Sequence, residues 1–224
     1  MQAGVAAGCG LWPWMLACAL QAQPAGYLGQ RMPLAAELTV SPGVLDALVQ
    51  REGLPVYWRG GLAAEYVLGP DLSANLHLHR YSAPLRYSYR TIQGNARLQG
   101  WALGPGCSLY RSSRRSTPAP LGAFTRLDVL MLRYQVIDLD RRFYQDQRRV
   151  LARLTTLMTG LTLGVQRFSG DHIAWRAGAQ VGWVFKLPAA ADTPDVRYLR
   201  DLATSRLRSI WSWGLMGGGG VIWF

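Results

Sequence analysis

The sequence predicts an α+β protein: a C-terminal domain whose mixed sheet is covered by an arginine-rich helix, preceded by a degenerate N-terminal region. Three observations predict it. First, Phe143, Val150, Leu154, Leu157, Met158 and Leu161 recur at spacings of three, four and seven and form one apolar helical stripe over 141–159. Second, "LDVLMLRYQVIDLD", residues 127–140, reads as a buried strand. Third, residues 1–50 hold Arg31 against Glu37 and Asp46, whereas residues 101–150 hold nine arginines against four aspartates. The two halves are different materials.

The N-terminal segment, residues 1–30, carries no charged side chain before Arg31. Its run from Gly10 to Leu20 has the length of a signal-peptide core, and "ALQA" would serve as a cleavage site. Pro13 interrupts the run and no Lys or Arg precedes it, so a hydrophobic extension or an organellar leader is the competing reading. Residues 31–120 follow. "PGVLDALVQR", residues 42–51, suits a short helix with Ser41 as N-cap. Residues 55–101 alternate and are rich in Tyr, Leu and Trp, which suggests several short strands. "RSSRRSTPAP", residues 111–120, reads as a basic linker and marks the boundary of a C-terminal domain over 121–224.

The three cysteines, Cys9, Cys18 and Cys107, form no disulfide framework. His77 and His79 would share one face of a strand, and Cys107 could join them at a metal, but no fourth ligand is evident. No phosphate loop, nucleophile elbow or paired-carboxylate pattern appears, so the sequence predicts no enzyme, no cofactor and no small-molecule substrate.

Charge points elsewhere. The formal net charge is +11 and every basic residue except Lys186 is arginine, which forks onto phosphate bidentately. On the expected helix, Arg142, Arg149 and Arg153 fall on one face, with Arg141 and Arg148 beside them. Like charges at these spacings repel, and a polyanion would offset the repulsion. RNA is the expected partner, with Arg111, Arg114 and Arg115 of the linker as further phosphate contacts.

"QRRVLARLTTLMTGLTLGVQRFSGDHIAW", residues 147–175, resembles the C-terminal domain of small ribosomal subunit protein three. Gly164, Val165, Ser169, Gly170, Ile173, Ala174 and Arg176 occupy matching or near-matching places, although Asp171 stands where that family has arginine. The segment "AQVGWVFKLP" and the closing "WGLMGGGGVIWF" are similar to the family's later strands. The resemblance spans about 141–224 and implies a divergent mitochondrial version: a structural rRNA-binding protein of the small-subunit head, near the mRNA entry path. It adds Arg167, Arg176 and Lys186 to the RNA surface, with neighbouring ribosomal proteins and mRNA as further partners. It also implies an extended strand over 195–210, where Val196, Leu199, Leu202 and Leu207 equally allow a helix. The four glycines 217–220 fit a tight hairpin turn, or a backbone pressed close to another chain or to RNA, before a last strand at 221–224. The alternative is a secreted or outer-membrane envelope protein, suggested by the signal-like N-terminus, the alternating aromatic segments and the terminal Phe224. A membrane-surface protein with a basic amphipathic helix is a third reading.

Overall fold

In a computed structural model, residues 32–43, 55–89, 92–111, 121–139, 150–169, 173–186 and 194–223 are described. They form β1 (Met32–Pro42), β2 (Val56–Val67), β3 (Leu72–Tyr89), β4 (Ile92–Arg111), β5 (Gly122–Asp138), β6 (Val150–Ser169), β7 (Ile173–Val184), α1 (Pro194–Trp211) and β8 (Trp213–Trp223). Each strand pairs antiparallel with the next, and β8 returns to pair with β1 from Met32↔Trp223 to Val40↔Leu215. The result is a closed, eight-stranded up-and-down barrel, beyond which β3–β6 run on together: β3 past Tyr81 pairs only with β4, and β6 before Met158 only with β5.

This corrects the α+β expectation. Residues 150–159, expected on the arginine helix, lie in β6 and pair with β5 on one side, while Met158 and Thr159 also pair with β7. Residues 140–149, with Arg141, Arg142, Arg148 and Arg149, lie outside the described residues. The reason is that the helical spacing joined side chains from both faces of a strand. Leu157, Leu161, Leu163 and Val165 keep a period of two and point outward, while Met158 points inward and Leu154 packs against the buried core. The extended strand expected over 195–210 is instead α1, the helix that its apolar spacing allowed. The glycine run forms no turn: β8 passes straight through Gly217–Gly220, pairing with β1 and β7. Of the short helix expected at 42–51, Pro42 ends β1 and residues 44–51 lie outside the described residues. On either side of the basic linker, β4 and β5 pair along their length, so both halves contribute to one sheet.

The barrel changes character along its axis. Across most of its height the outward side chains are apolar: Leu76, Leu78, Leu103, Leu127, Val129, Met131, Leu161, Leu163, Val181 and Leu215 are all exposed, the last by 63%. The inward ones at that height are polar or charged: Glu37, Glu65, Asn75, His77, Arg126, Asp128, Gln166, Arg176 and Gln180 are buried. Towards the end where β3 meets β4 the pattern reverses. There the interior is Leu85, Leu98, Leu132, Tyr134 and Val136, all buried, and the outer face carries Arg80, Pro84, Arg97, Arg133 and Arg153. Helix α1 sits in this mouth, with Ala203, Leu207, Ile210 and Trp211 in the same apolar cluster.

Candidate functional site

Two features carry chemistry: the charged network inside the barrel and the apolar belt around it. Inside, Glu37 of β1 accepts hydrogen bonds from Arg126 of β5 at 2.8 Å and Arg176 of β7 at 3.0 Å. Arg126 donates its Nε to Asp128 at 3.0 Å, and Arg176 reaches Glu65 at 3.9 Å. Glu65 also accepts from Ser73 and from the Tyr110 hydroxyl. His77 lies between two carboxylates, 3.7 Å from Glu37 and 3.3 Å from Asp128. Above the network, Arg59 donates to the Ile210 carbonyl at 2.7 Å and to Gln180, with its guanidinium 4.0 Å from the centre of the Trp211 ring. The helix plug is thus tied to the charged layer beneath it.

Local sequence makes room for these groups. Several inward positions beside them are small: Gly61, Ala63, Ala102, Gly104 and Gly106. A side chain at Gly106 would strike the Asp128 carboxylate, and one at Gly61 the backbone and ring of His79. Small residues beside large ones fill a narrow barrel. Below the network, Val67, Tyr110, Phe124 and Met216 form a second buried apolar cluster.

Glu37, His77 and His79 offer donor atoms that all lie within 4.8 Å of one another. Cys107, the third ligand considered from sequence, points outward and is exposed. Charge argues against a metal at the inner set. Arg126 and Arg176 both bond one oxygen of Glu37, and Arg126 also bonds Asp128. A divalent cation would have to compete with these guanidiniums inside a buried cluster. The arrangement is a buried ion-pair network.

The arginines expected to form one RNA surface are dispersed. Arg153 and Arg167 point outward near opposite ends of β6. Arg111 is exposed at the end of β4. Arg176 is inside the barrel, 4% exposed. Lys186 pairs with Asp201 of α1 at 2.7 Å. Arg114 and Arg115 lie outside the described residues. Sequence reasoning missed Glu37, Glu65, Arg126 and Asp128. Their signal was positional, since each sits in phase with inward neighbours on its own strand, but only closure shows which phase is inward.

The outer face carries the second feature. Within the belt, from Leu34 to Val40 on β1 and from Ile173 to Trp183 on β7, no outward side chain is charged. Ten residue steps along a strand tilted by about 40° span roughly 25 Å, a membrane's apolar thickness in an outer-membrane barrel. Trp58, Trp101, Trp183 and Trp213 are exposed towards the α1 end, and Trp175 towards the other.

Neither a family profile nor a curated protein matches the chain in sequence. Solved structures resemble it in fold. The N-terminal β-barrel domain of Pseudomonas aeruginosa OprF aligns over 87% of this chain and 98% of its own at 10% identity and a TM-score of 0.42. The attachment invasion locus protein Ail of Yersinia pestis, solved with the heparin analogue sucrose octasulfate, aligns over 87% and 99% at 10% identity and 0.45. Neisserial surface protein A aligns over 87% and 96% at 12% identity and 0.45.

The ribosomal reading, with its rRNA, mRNA and ribosomal-protein partners and its mitochondrial location, is corrected on the barrel itself. A closed barrel has no sheet covered by an external basic helix. It also buries Arg176, one of the proposed phosphate ligands, against Glu37.

Proposed function

We propose that the chain is an integral β-barrel of a bacterial outer membrane, a non-enzymatic envelope protein with a sealed lumen. One observation carries the reading: the barrel's polarity is inverted across the belt and returns to normal beyond it. Water-soluble barrels place apolar residues inside and polar residues outside, as this one does only around α1. Where Glu37, His77, Arg126 and Asp128 fill the lumen, the outside is uniformly apolar. Water would penalise that surface, whereas lipid hydrocarbon solvates it, and closure pairs the strands of the belt on both sides.

Orientation follows from the connections. The ends of β1 and β8 at Met32 and Trp223 share a side with the links 68–71, 112–121 and 170–172. The opposite side carries the links 43–55, 90–91 and 139–149 and the helical connection 185–212, and so most of the connecting chain. The longer loops face the exterior in such barrels, so α1 closes the exterior mouth. The polar groups inside are buried and tied to one another, which suits a scaffold presenting loops at the cell surface rather than a catalyst.

Expression in a Gram-negative host tests this. The chain should remain with outer membranes after alkaline carbonate washing, and unheated samples should migrate differently from boiled ones on denaturing gels. Recovery as a carbonate-extractable or freely soluble protein would overturn the reading.

A further inference from the structure

The outer face records where the belt stops. On β3 to β6 the last apolar row is Leu78, Leu103, Met131 and Leu157, joined by the pairs Leu78↔Leu103, Leu103↔Met131 and Met131↔Leu157. The next row towards the exterior is Arg80, Trp101, Arg133 and Thr155, and the row after it includes Gln99, Gln135 and Arg153. The change takes one step in register.

Those two rows enclose a shallow concavity of about 210 Å³, with Arg80, Arg133 and Arg153 around Trp101 and the amides of Gln99 and Gln135. No carboxylate lines it. The Arg80 guanidinium lies 5.3 Å from the Trp101 ring centre. None of the three guanidiniums meets a carboxylate among the described residues, in contrast to Arg126 and Arg176 inside. Three arginines without a carboxylate partner among the described residues repel one another unless an anion lies between them.

We propose that this concavity binds the phosphate groups of a phosphorylated glycolipid anchored in the exterior leaflet. The inference rests on the membrane reading above. Depth selects the ligand. The acyl chains would lie on Leu78, Leu103, Met131 and Leu157, and the headgroup phosphates then fall at the height of the arginines. Guanidinium forks hold phosphate bidentately, and the glutamine amides complete the polar wall. A sugar face can rest on Trp101, whose lower edge meets the chains. A headgroup with two phosphates spans the row from Arg80 to Arg133 and Arg153 better than one with a single phosphate.

The test uses the full chain folded in zwitterionic detergent micelles and native mass spectrometry. A diphosphorylated disaccharide lipid should bind with one-to-one stoichiometry. Its affinity should fall at least tenfold in the triple variant Arg80→Gln, Arg133→Gln, Arg153→Gln, and stay unchanged in Arg167→Gln at the opposite end of the barrel. The same lipid stripped of phosphate should lose the selectivity, and inorganic phosphate alone should not compete at equal concentration. Equal binding of the stripped lipid, equal competition by inorganic phosphate, or an unaffected triple variant would each overturn the site while leaving the barrel in the membrane. The triple variant is checked by its gel shift on heating, so that lost binding is not lost folding. Failure of the parent chain to fold in micelles would instead overturn the membrane reading and this site together.

Discussion

Glu37 is the residue on which the interior turns, because its carboxylate accepts from both Arg126 and Arg176. Removing one partner of a buried ion pair leaves an uncompensated charge, at a cost of about 3–5 kcal/mol. Glu37→Ala should therefore lower the unfolding free energy of the barrel in vesicles by that amount, read as a lower urea midpoint by tryptophan fluorescence. An unchanged midpoint would mean that water already reaches the two guanidiniums. The outer face obeys the opposite rule. Leu161→Arg places a charge in the middle of the belt and should cost about 2–4 kcal/mol in lipid, whereas Ser88→Arg, beyond the belt, should stay within about 0.5 kcal/mol. If both substitutions behave alike, the apolar belt is not facing hydrocarbon. At this scale the sequence was half legible. His77 and His79 were placed correctly on one strand face, yet their partner Glu37 lies 40 residues earlier and meets them only because β1, β2 and β3 are paired in register.

The elements divide by whether one period explained them. In β5 the alternation of Val129, Met131 and Arg133 against Leu130, Leu132 and Tyr134 fits a strand and no helix, and the strand expected over 127–140 overlaps the observed one, which starts at Gly122 and ends at Asp138. In β6 the apolar residues fit a helical stripe, although that stripe draws on both faces of the observed strand. Period-two amphipathy also survives exchange of the two faces, so alternation alone cannot tell a lipid-facing side chain from a core one. The glycine run in β8 shows the same limit. A side chain at Gly220 would collide with the Leu34 carbonyl and with Ala35 of β1, whereas at Gly217 it would meet nothing within 4 Å. Those glycines admit close strand approach on one face and lie open on the other. Gly220→Leu should thus block closure between β1 and β8 and abolish the heat-dependent gel shift, while Gly217→Leu should preserve it. Loss of the shift in both would mean that strand propensity, not space, is limiting. Helix α1 depends on its last residue. Trp211 is fully buried against Tyr81 and Arg59, and Trp211→Ala should cost about 3–5 kcal/mol in the same unfolding assay.

For the whole molecule, a charge of +11 was a sound reason to expect an anionic partner and a poor guide to where the cations sit. Some arginines are consumed inside the lumen by carboxylates, others stand at the membrane boundary, and composition does not separate the two. The same division decides permeability. Three layers lie in series along the axis: α1 with its apolar collar, the lattice of Glu37, Arg126, Asp128 and Arg176, and the cluster of Val67, Tyr110, Phe124 and Met216. Each spans a lumen that eight strands leave only wide enough for side chains. If the layers are independent, opening one does not open the barrel. The full chain in planar bilayers should show no ion conductance, and replacing residues 194–211 with a short flexible linker should leave it closed, because the charged lattice beneath still fills the cross-section. Steady conductance in the linker variant would show that α1 alone holds the lumen shut, and that the ion pairs below part readily once the Arg59 tie to Ile210 is gone.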